Sequence, residues 1–291
     1  MVLAAFAAVY LIWGSTYLAI LFAIETIPPF LMAGVRFLTA GAVLFGWLRW
    51  KGEPWPRREA WAAAAVIGTL LILAGNGSVT WAEQRVPSGV AALLVATVPL
   101  WMVVLEALRP GGARPAGLVV LGLLAGFGGL AMLVAPGKGG GVDPVGAGVL
   151  LAGSFAWASG SIYSRTAVRP RAPLMGVATQ MLAGGALLVG AGTLAGEWAR
   201  VDVHAVSTGS VVALLYLILF GSLVGYSAYI WLLGVSTPDR VSTYAYVNPV
   251  VAVFLGWAVV GEPVTPRVLA ASAVIVGAVA VITLSGTVRR P

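Results

Sequence analysis

Continuous apolar runs of roughly 20 residues, separated by short polar or Pro/Gly-rich breaks, constrain this chain more than any other feature. They are Leu3 to Ala23, Phe30 to Trp47, Trp61 to Thr80, Gly89 to Leu108 and Ala116 to Ala135. The second set is Val145 to Tyr163, Leu174 to Leu194, Ser210 to Leu233, Val241 to Val260 and Val268 to Leu284. Such a run matches the ~30 Å hydrocarbon core of a bilayer. Lipid offers no partner to a free backbone amide, and the runs lack the two-residue alternation of a barrel strand. The expected fold is therefore an all-α polytopic membrane protein with ten transmembrane helices, joined by connections too short to hold a soluble domain.

Composition supports this. Only 9% of the 291 residues are charged and 60% are hydrophobic, whereas a soluble domain carries about 25% charged residues on its wet surface. The absence of cysteine excludes disulfides, thiolate metal sites and a thiol nucleophile. A single histidine, His204, excludes paired-His metal motifs, so no metal or cofactor is expected. The N-terminal run lacks a basic leader and a small-residue cleavage site, and reads as the first span.

The net charge of +7 could suggest nucleic acid, but the basic residues are placed as in a membrane protein. With the N-terminus cytoplasmic, the inner loops and tail carry twelve of the 17 Lys and Arg: Arg49, Lys51, Arg57, Arg58, Arg109, Arg114, Arg165, Arg169, Arg171, Arg240, Arg289 and Arg290. The outer loops carry four, Arg85, Lys138, Arg200 and Arg267. That asymmetry predicts both termini inside and no nucleic-acid partner.

The halves resemble each other. Trp81 and Trp231 lie 150 residues apart, as do Pro99 and Pro249, near the middle of the fourth and ninth spans. Trp13 and Ser15 recur as Trp157 and Ser159, and Leu31, Met32, Ala40, Gly41 and Leu44 as Leu174, Met175, Ala183, Gly184 and Leu187. Two repeats of five spans, 1–140 and 141–291, follow; because five is odd, the second is inverted. Inverted repeats are an architecture of alternating-access carriers, with substrate bound between the halves near the midplane. Pro99 and Pro249, which free carbonyls and bend helices, are hinge candidates.

Trp13-Gly14-Ser15-Thr16-Tyr17, Ala33-Gly34-Val35-Arg36-Phe37 and Ser88-Gly89-Val90-Ala91-Ala92-Leu93-Leu94 leading to Pro99-Leu100 resemble the EamA branch of the drug/metabolite transporter superfamily. So do Tyr244 through Pro249 and Gly261-Glu262-Pro263. The resemblance covers essentially the whole chain. It implies a bacterial inner-membrane secondary transporter exporting amino acids or related metabolites, similar to the aromatic and neutral amino-acid exporters of the YddG type. Multidrug, nucleoside or sugar efflux is the alternative within transporters.

Arg36 is the most informative residue, since an intramembrane charge costs at least ~2.5 kcal/mol unless compensated. It could attract a substrate carboxylate, or tie down backbone carbonyls or Glu25 or Glu83. Thr179 and Gln180 occupy the equivalent region of the seventh span. Helical spacing puts Trp13, Tyr17 and Ile20 on one face; it does the same for Ser154, Trp157 and Ser161, for Ser222, Tyr226 and Tyr229, for Tyr244 and Asn248, and for Asn76 and Thr80. Converging, these faces would enclose an apolar-walled pocket with scattered hydrogen-bonding groups, suited to a zwitterion; interhelical packing is the alternative for each hydroxyl. The candidate substrate-binding set is Trp13, Tyr17, Arg36, Asn76, Trp101, Trp157, Ser161, Gln180, Tyr226, Tyr244 and Asn248. Trp47, Trp50, Trp55, Trp61 and Trp198, at span ends, read as interface anchors. Gly122 and Gly126 form a GxxxG expected to serve an internal helix contact, and a monomer is expected.

No acid lies at the centre of a span; Glu106 comes nearest, and Glu83 and Glu106 are the candidates for any proton coupling. An enzyme would need clustered acids, or a Ser beside a base, at the membrane face, and the inner loops offer neither. A channel would need a filter-like loop, and none is visible. The expected partners are a small-molecule substrate and the lipid bilayer.

Overall fold

The computed structural model describes residues 1–108, 115–134, 142–236, 241 and 243–286. Among them every regular element is helical. Eight helices are long and apolar enough to cross a membrane: α1 (Val2–Ile24), α2 (Pro29–Trp50), α3 (Arg58–Ala82), α4 (Ser88–Leu108), α5 (Gly117–Val134), α6 (Pro144–Thr166), α7 (Pro173–Leu194) and α8 (Thr208–Val235). Two further apolar helices follow, α9 (Tyr244–Val260) and α10 (Pro266–Gly286). Each overlaps one of the apolar runs, and proline opens α2, α6, α7 and α10, where its missing N–H removes nothing from the helix.

The packing maps onto itself when the first five helices are exchanged for the last five. α2 lies along α7 and α5 along α10; α1 packs on α8 and α9, and α6 packs on the corresponding α3 and α4. In the α5–α10 pair, Gly122 faces Ile282 and Ala278, and Gly126 faces Leu100 and Ala278, so the GxxxG serves a contact inside the chain. Trp47, Trp50, Trp55 and Trp198 are exposed at helix ends, while Trp61 is only partly so.

The helix ends sort by charge. One end of the bundle carries Glu25, Glu83, Asp143, Glu197, Asp202 and Glu262, together with Arg85, Arg200 and Arg267. The other carries Arg49, Lys51, Arg57, Arg58, Arg165, Arg169 and Arg171, together with Glu53, Glu59 and Glu106. We refer to these as the acidic and basic ends. Arg109, Arg114, Lys138, Asp239, Arg240, Arg289 and Arg290, which also bear on orientation, lie outside the described residues.

At the acidic end, two carboxylates of the second half close helices of the first. Glu197, after α7, accepts the backbone N–H groups of Phe30 and Leu31 at 3.2 and 2.9 Å, capping α2. Glu262, after α9, accepts those of Ser88 and Gly89 at 2.7 and 3.1 Å, capping α4. Both helices begin with a proline as N-cap (Pro28 and Pro87), which has no side-chain acceptor, so the first-turn donors need one from elsewhere. The negative charges also meet the positive ends of the helix dipoles.

Two departures from regular α-helix were invisible in the hydrophobic pattern. Gly68–Asn76 in α3 and Leu217–Tyr226 in α8 are wound as π-helix, at corresponding places in the two halves. The two prolines sit in unequal surroundings. α4 breaks between Val95 and Val98, and Pro99 opens its second piece; Pro249 lies inside the continuous α9.

Replacing Glu262 by Ala removes two charge-assisted hydrogen bonds from the start of α4, at a cost of about 1–3 kcal/mol. The expected outcome is a thermal transition lowered by several degrees in detergent, with Glu53→Ala at the basic end unchanged. Equal transitions for the two variants would refute the capping role.

Candidate functional site

Every π-turn widens the helix and leaves carbonyls out of register for ordinary i→i−4 bonding. Here the exposed backbone is used. In α8 the Trp13 indole N–H donates to the Gly221 carbonyl at 3.2 Å. In α3 the Asn76 side-chain amide donates to the Leu71 carbonyl at 3.1 Å.

The two π-segments also receive indoles reciprocally. A Cβ on Gly75 would lie 2.6 Å from the Trp157 ring, and a Cβ on Gly225 would lie 2.6 Å from the Trp13 indole nitrogen. Each half therefore seats its tryptophan against a glycine of the other half. Only glycine leaves space for the rings.

Trp13 and Trp157 meet edge to face at 5.5 Å, and Tyr229 and Tyr244 complete the aromatic cluster. Above this cluster, towards the acidic end, a cavity of about 60 Å³, room for a few waters, is lined by Trp13, Thr16, Tyr17 and Ile20 of α1 and by Arg36 of α2. Gly75, Asn76 and Val79 of α3, Val95 of α4, Gly153, Ser154 and Trp157 of α6, and Tyr244 and Asn248 of α9 complete the wall. With its nitrogen turned inward, the Asn248 amide donates to the carbonyls of Tyr10 and Tyr244, at 3.0 and 3.3 Å.

Arg36 is only 3% exposed. Its Nε donates to Ser222 Oγ at 2.8 Å, and the guanidinium lies 4.6 Å from the centre of the Phe37 ring. The head reaches the backbone of α8 because residue 221 is glycine; a Cβ there would stand 2.8 Å from Nη2. Its Nη1 has no hydrogen-bond partner, and among the described residues no carboxylate lies within ion-pair distance. A guanidinium anchored at Nε and unpaired at Nη1, on a residue that lines an aromatic-walled cavity, is suited to an anion.

A second cavity, of about 230 Å³, lies towards the basic end, lined by Ala60, Ala64, Ser164, Arg169, Thr179, Gln180 and Trp231 among others. Two fully buried tyrosines of α8 join the walls of the two cavities. Tyr229 bonds Trp157 of the first at 3.1 Å and Ser161 at 2.7 Å; Tyr226 donates to Gln180 of the second at 2.9 Å.

Of the candidates from sequence, Trp13, Tyr17, Arg36, Asn76, Trp157, Tyr244 and Asn248 therefore share one cavity. Ser161 and Tyr226 stand behind it, and Gln180 faces the other cavity. Trp101 lies apart, stacked edge to face on Phe127 and Phe155. Thr16, Val79 and Val95 line the cavity without having been singled out. The recurrence of Gly75 as Gly225, 150 residues on, was the available signal for the indole seats.

A Cβ at either seat overpacks the site, which typically costs 1–3 kcal/mol, about 5- to 150-fold in an equilibrium. Gly75→Ala and Gly225→Ala should each depress substrate flux in reconstituted vesicles by about tenfold, with normal expression. Full flux in both would show that the indoles are free to move without consequence.

The EamA-like transporter family model matches the chain twice, over residues 1–135 and 144–284. The uncharacterized inner membrane transporter YedA of Escherichia coli K12 is 43% identical over 279 residues, covering 95% of this chain and 89% of that protein. The uncharacterized transporter YvbV of Bacillus subtilis is 25% identical, over 94% of this chain and 88% of that one. A WAT1-related chloroplastic protein of Arabidopsis thaliana is 26% identical, over 91% and 65% respectively. A solved crystal structure at 22% identity superposes with a TM-score of 0.65 over 97% of this chain and 96% of that chain, supporting the same fold. With the family model matched twice and almost end to end, this chain belongs to the EamA-like family and is a membrane transporter.

Proposed function

We propose that the protein is an inner-membrane secondary carrier of amino acids, aromatic and neutral, and of related small metabolites. In this reading ten spans form two inverted repeats, 1–140 and 141–291, with the basic end and both termini in the cytoplasm. Substrate binds in the cavity between them, and access alternates between the acidic and basic ends. The observation that carries the reading is the unpartnered Nη1 of Arg36 at a cavity walled by Trp13, Trp157, Tyr17 and Tyr244. A carboxylate satisfies the guanidinium, the rings accept an apolar side chain, and the side-chain carbonyls of Asn76 and Asn248 are acceptors for an ammonium group. At about 60 Å³ the cavity holds a head group, and an aromatic side chain requires the indoles to part. The Tyr226 and Tyr229 hydroxyl contacts form the septum that must open for passage to the basic end.

The test is uptake of a panel of labelled amino acids into proteoliposomes. Arg36→Ala should lower the affinity for phenylalanine by about 10- to 150-fold, the worth of one charge-assisted hydrogen bond. Phenylethylamine, which lacks the carboxylate, should be affected far less. Equal losses in a well-folded variant assign Arg36 a structural role, and no saturable uptake of any amino acid removes the substrate class.

Alternating access also assigns the prolines a mechanical role. Pro99→Ala, at the break in α4, should slow turnover severalfold with binding nearly intact, and Pro249→Ala, inside α9, should do so to a lesser degree. Unchanged turnover in both would remove the hinges.

A further inference from the structure

Buried polar groups in folded proteins are nearly always paired, so a cluster of unpaired ones marks a site with a task. Among the described residues six buried side-chain atoms lack a partner, and four of them belong to Arg36, Glu83 and Ser88. Glu83 follows α3 directly and is 4% exposed, yet neither of its oxygens accepts a hydrogen bond. Ser88, at the start of α4, is fully buried with its Oγ unpaired.

The groups facing Glu83 come from three other elements. Arg36 of α2 is its cation, Glu262 after α9 is a second carboxylate, and Tyr17 of α1 is a phenol. On its own loop, Arg85 lies over the Trp81 ring at 5.1 Å. Both oxygens of Glu262 are taken up by the Ser88 and Gly89 amides. An ionised Glu83 would then stand dehydrated, without a donor, beside an existing negative charge. Burial first, and Glu262 second, push its carboxyl well above the usual carboxylate range, while Arg36 pulls the other way.

Resting on the amino-acid reading above, we propose that Glu83 is a proton-binding site linked, through the free edge of Arg36, to binding of a substrate carboxylate in the cavity. Arg36 is the only cation facing Glu83 among the described residues, and its Nη1 is bonded to neither side. When a carboxylate occupies that edge, the guanidinium charge is neutralised, and Glu83 holds its proton as a neutral acid. When the site empties and Glu83 loses its proton to solution at the acidic end, the new carboxylate pairs with Arg36 instead. One proton leaves and one ion pair forms, so the buried charge stays balanced. Substrate and proton are bound together and travel in the same direction.

The sign of the linkage follows. Substrate binding is strongest while Glu83 is protonated, and weakens as pH rises through its raised range. Wild-type affinity for hydrocinnamate, a carboxylate of constant charge over this range, should fall severalfold, up to about tenfold per pH unit, on the alkaline side. Glu83→Gln, an amide standing in for the neutral acid, should bind with an affinity that no longer changes with pH. A pH-dependence retained in Glu83→Gln, or absent from a wild type that binds, overturns the proposal.

Infrared titration of the protein without ligand tests the site independently of the substrate class. A carboxylic-acid C=O band should persist above the ordinary range, be missing in Glu83→Gln, and titrate at lower pH in Glu262→Gln. A Glu83 ionised at neutral pH in the wild type overturns the proposal, whatever the substrate. Failure of every amino acid and carboxylate to bind, with this band present, removes the substrate class and the carboxylate linkage, while leaving Glu83 a proton site.

Discussion

Lipid supplies no hydrogen bonds, and most of what distinguishes this molecule is a response to that constraint. Helices satisfy their own interior amides but not their first turns. Where α2 and α4 begin at the acidic end, the missing acceptors come from the opposite half of the chain, as Glu197 and Glu262. Where α3 and α8 relax into π-helix, the displaced carbonyls are taken up by Trp13 and Asn76. The two caps and the Trp13 bond reach partners distant in sequence and dock the two halves, while the α3 carbonyl is met from within its own helix.

The same irregularities make the cavity. A straight α3 and α8 packed against α1 and α6 would leave a dry seam of small residues. Widening at the π-turns and glycine at 75, 221 and 225 admit two indoles and a guanidinium between the helices. The rings pack on each other and on two tyrosines, giving the cavity an aromatic wall. Arg36 is held by one nitrogen and left free at another, an arrangement that positions a charge without neutralising it.

Much of the architecture was legible in the residues because the bilayer imposes one length and one polarity on every span. The apolar runs locate the described helices within a few residues, and the paired Trp and Pro positions anticipate the two matches of the family model. Trp13, Tyr17 and Arg36 could be nominated because a large polar or charged side chain in hydrocarbon must face inward. Trp101 obeys the same rule and lies elsewhere, its indole stacked on Phe127 and Phe155. Periodicity says which face of a helix is polar and does not say what that face meets.

The sequence by itself determined the solvent, the helices, the internal duplication and the family, since each rests on hydrophobicity or order along the chain. Only the tertiary structure decided which polar groups are satisfied. Glu83, Glu197 and Glu262 are three glutamates near helix ends in the sequence. In space two of them cap helices of the other half, and one is buried with nothing to bond. That difference is made by the approach of helices more than a hundred residues apart in the sequence.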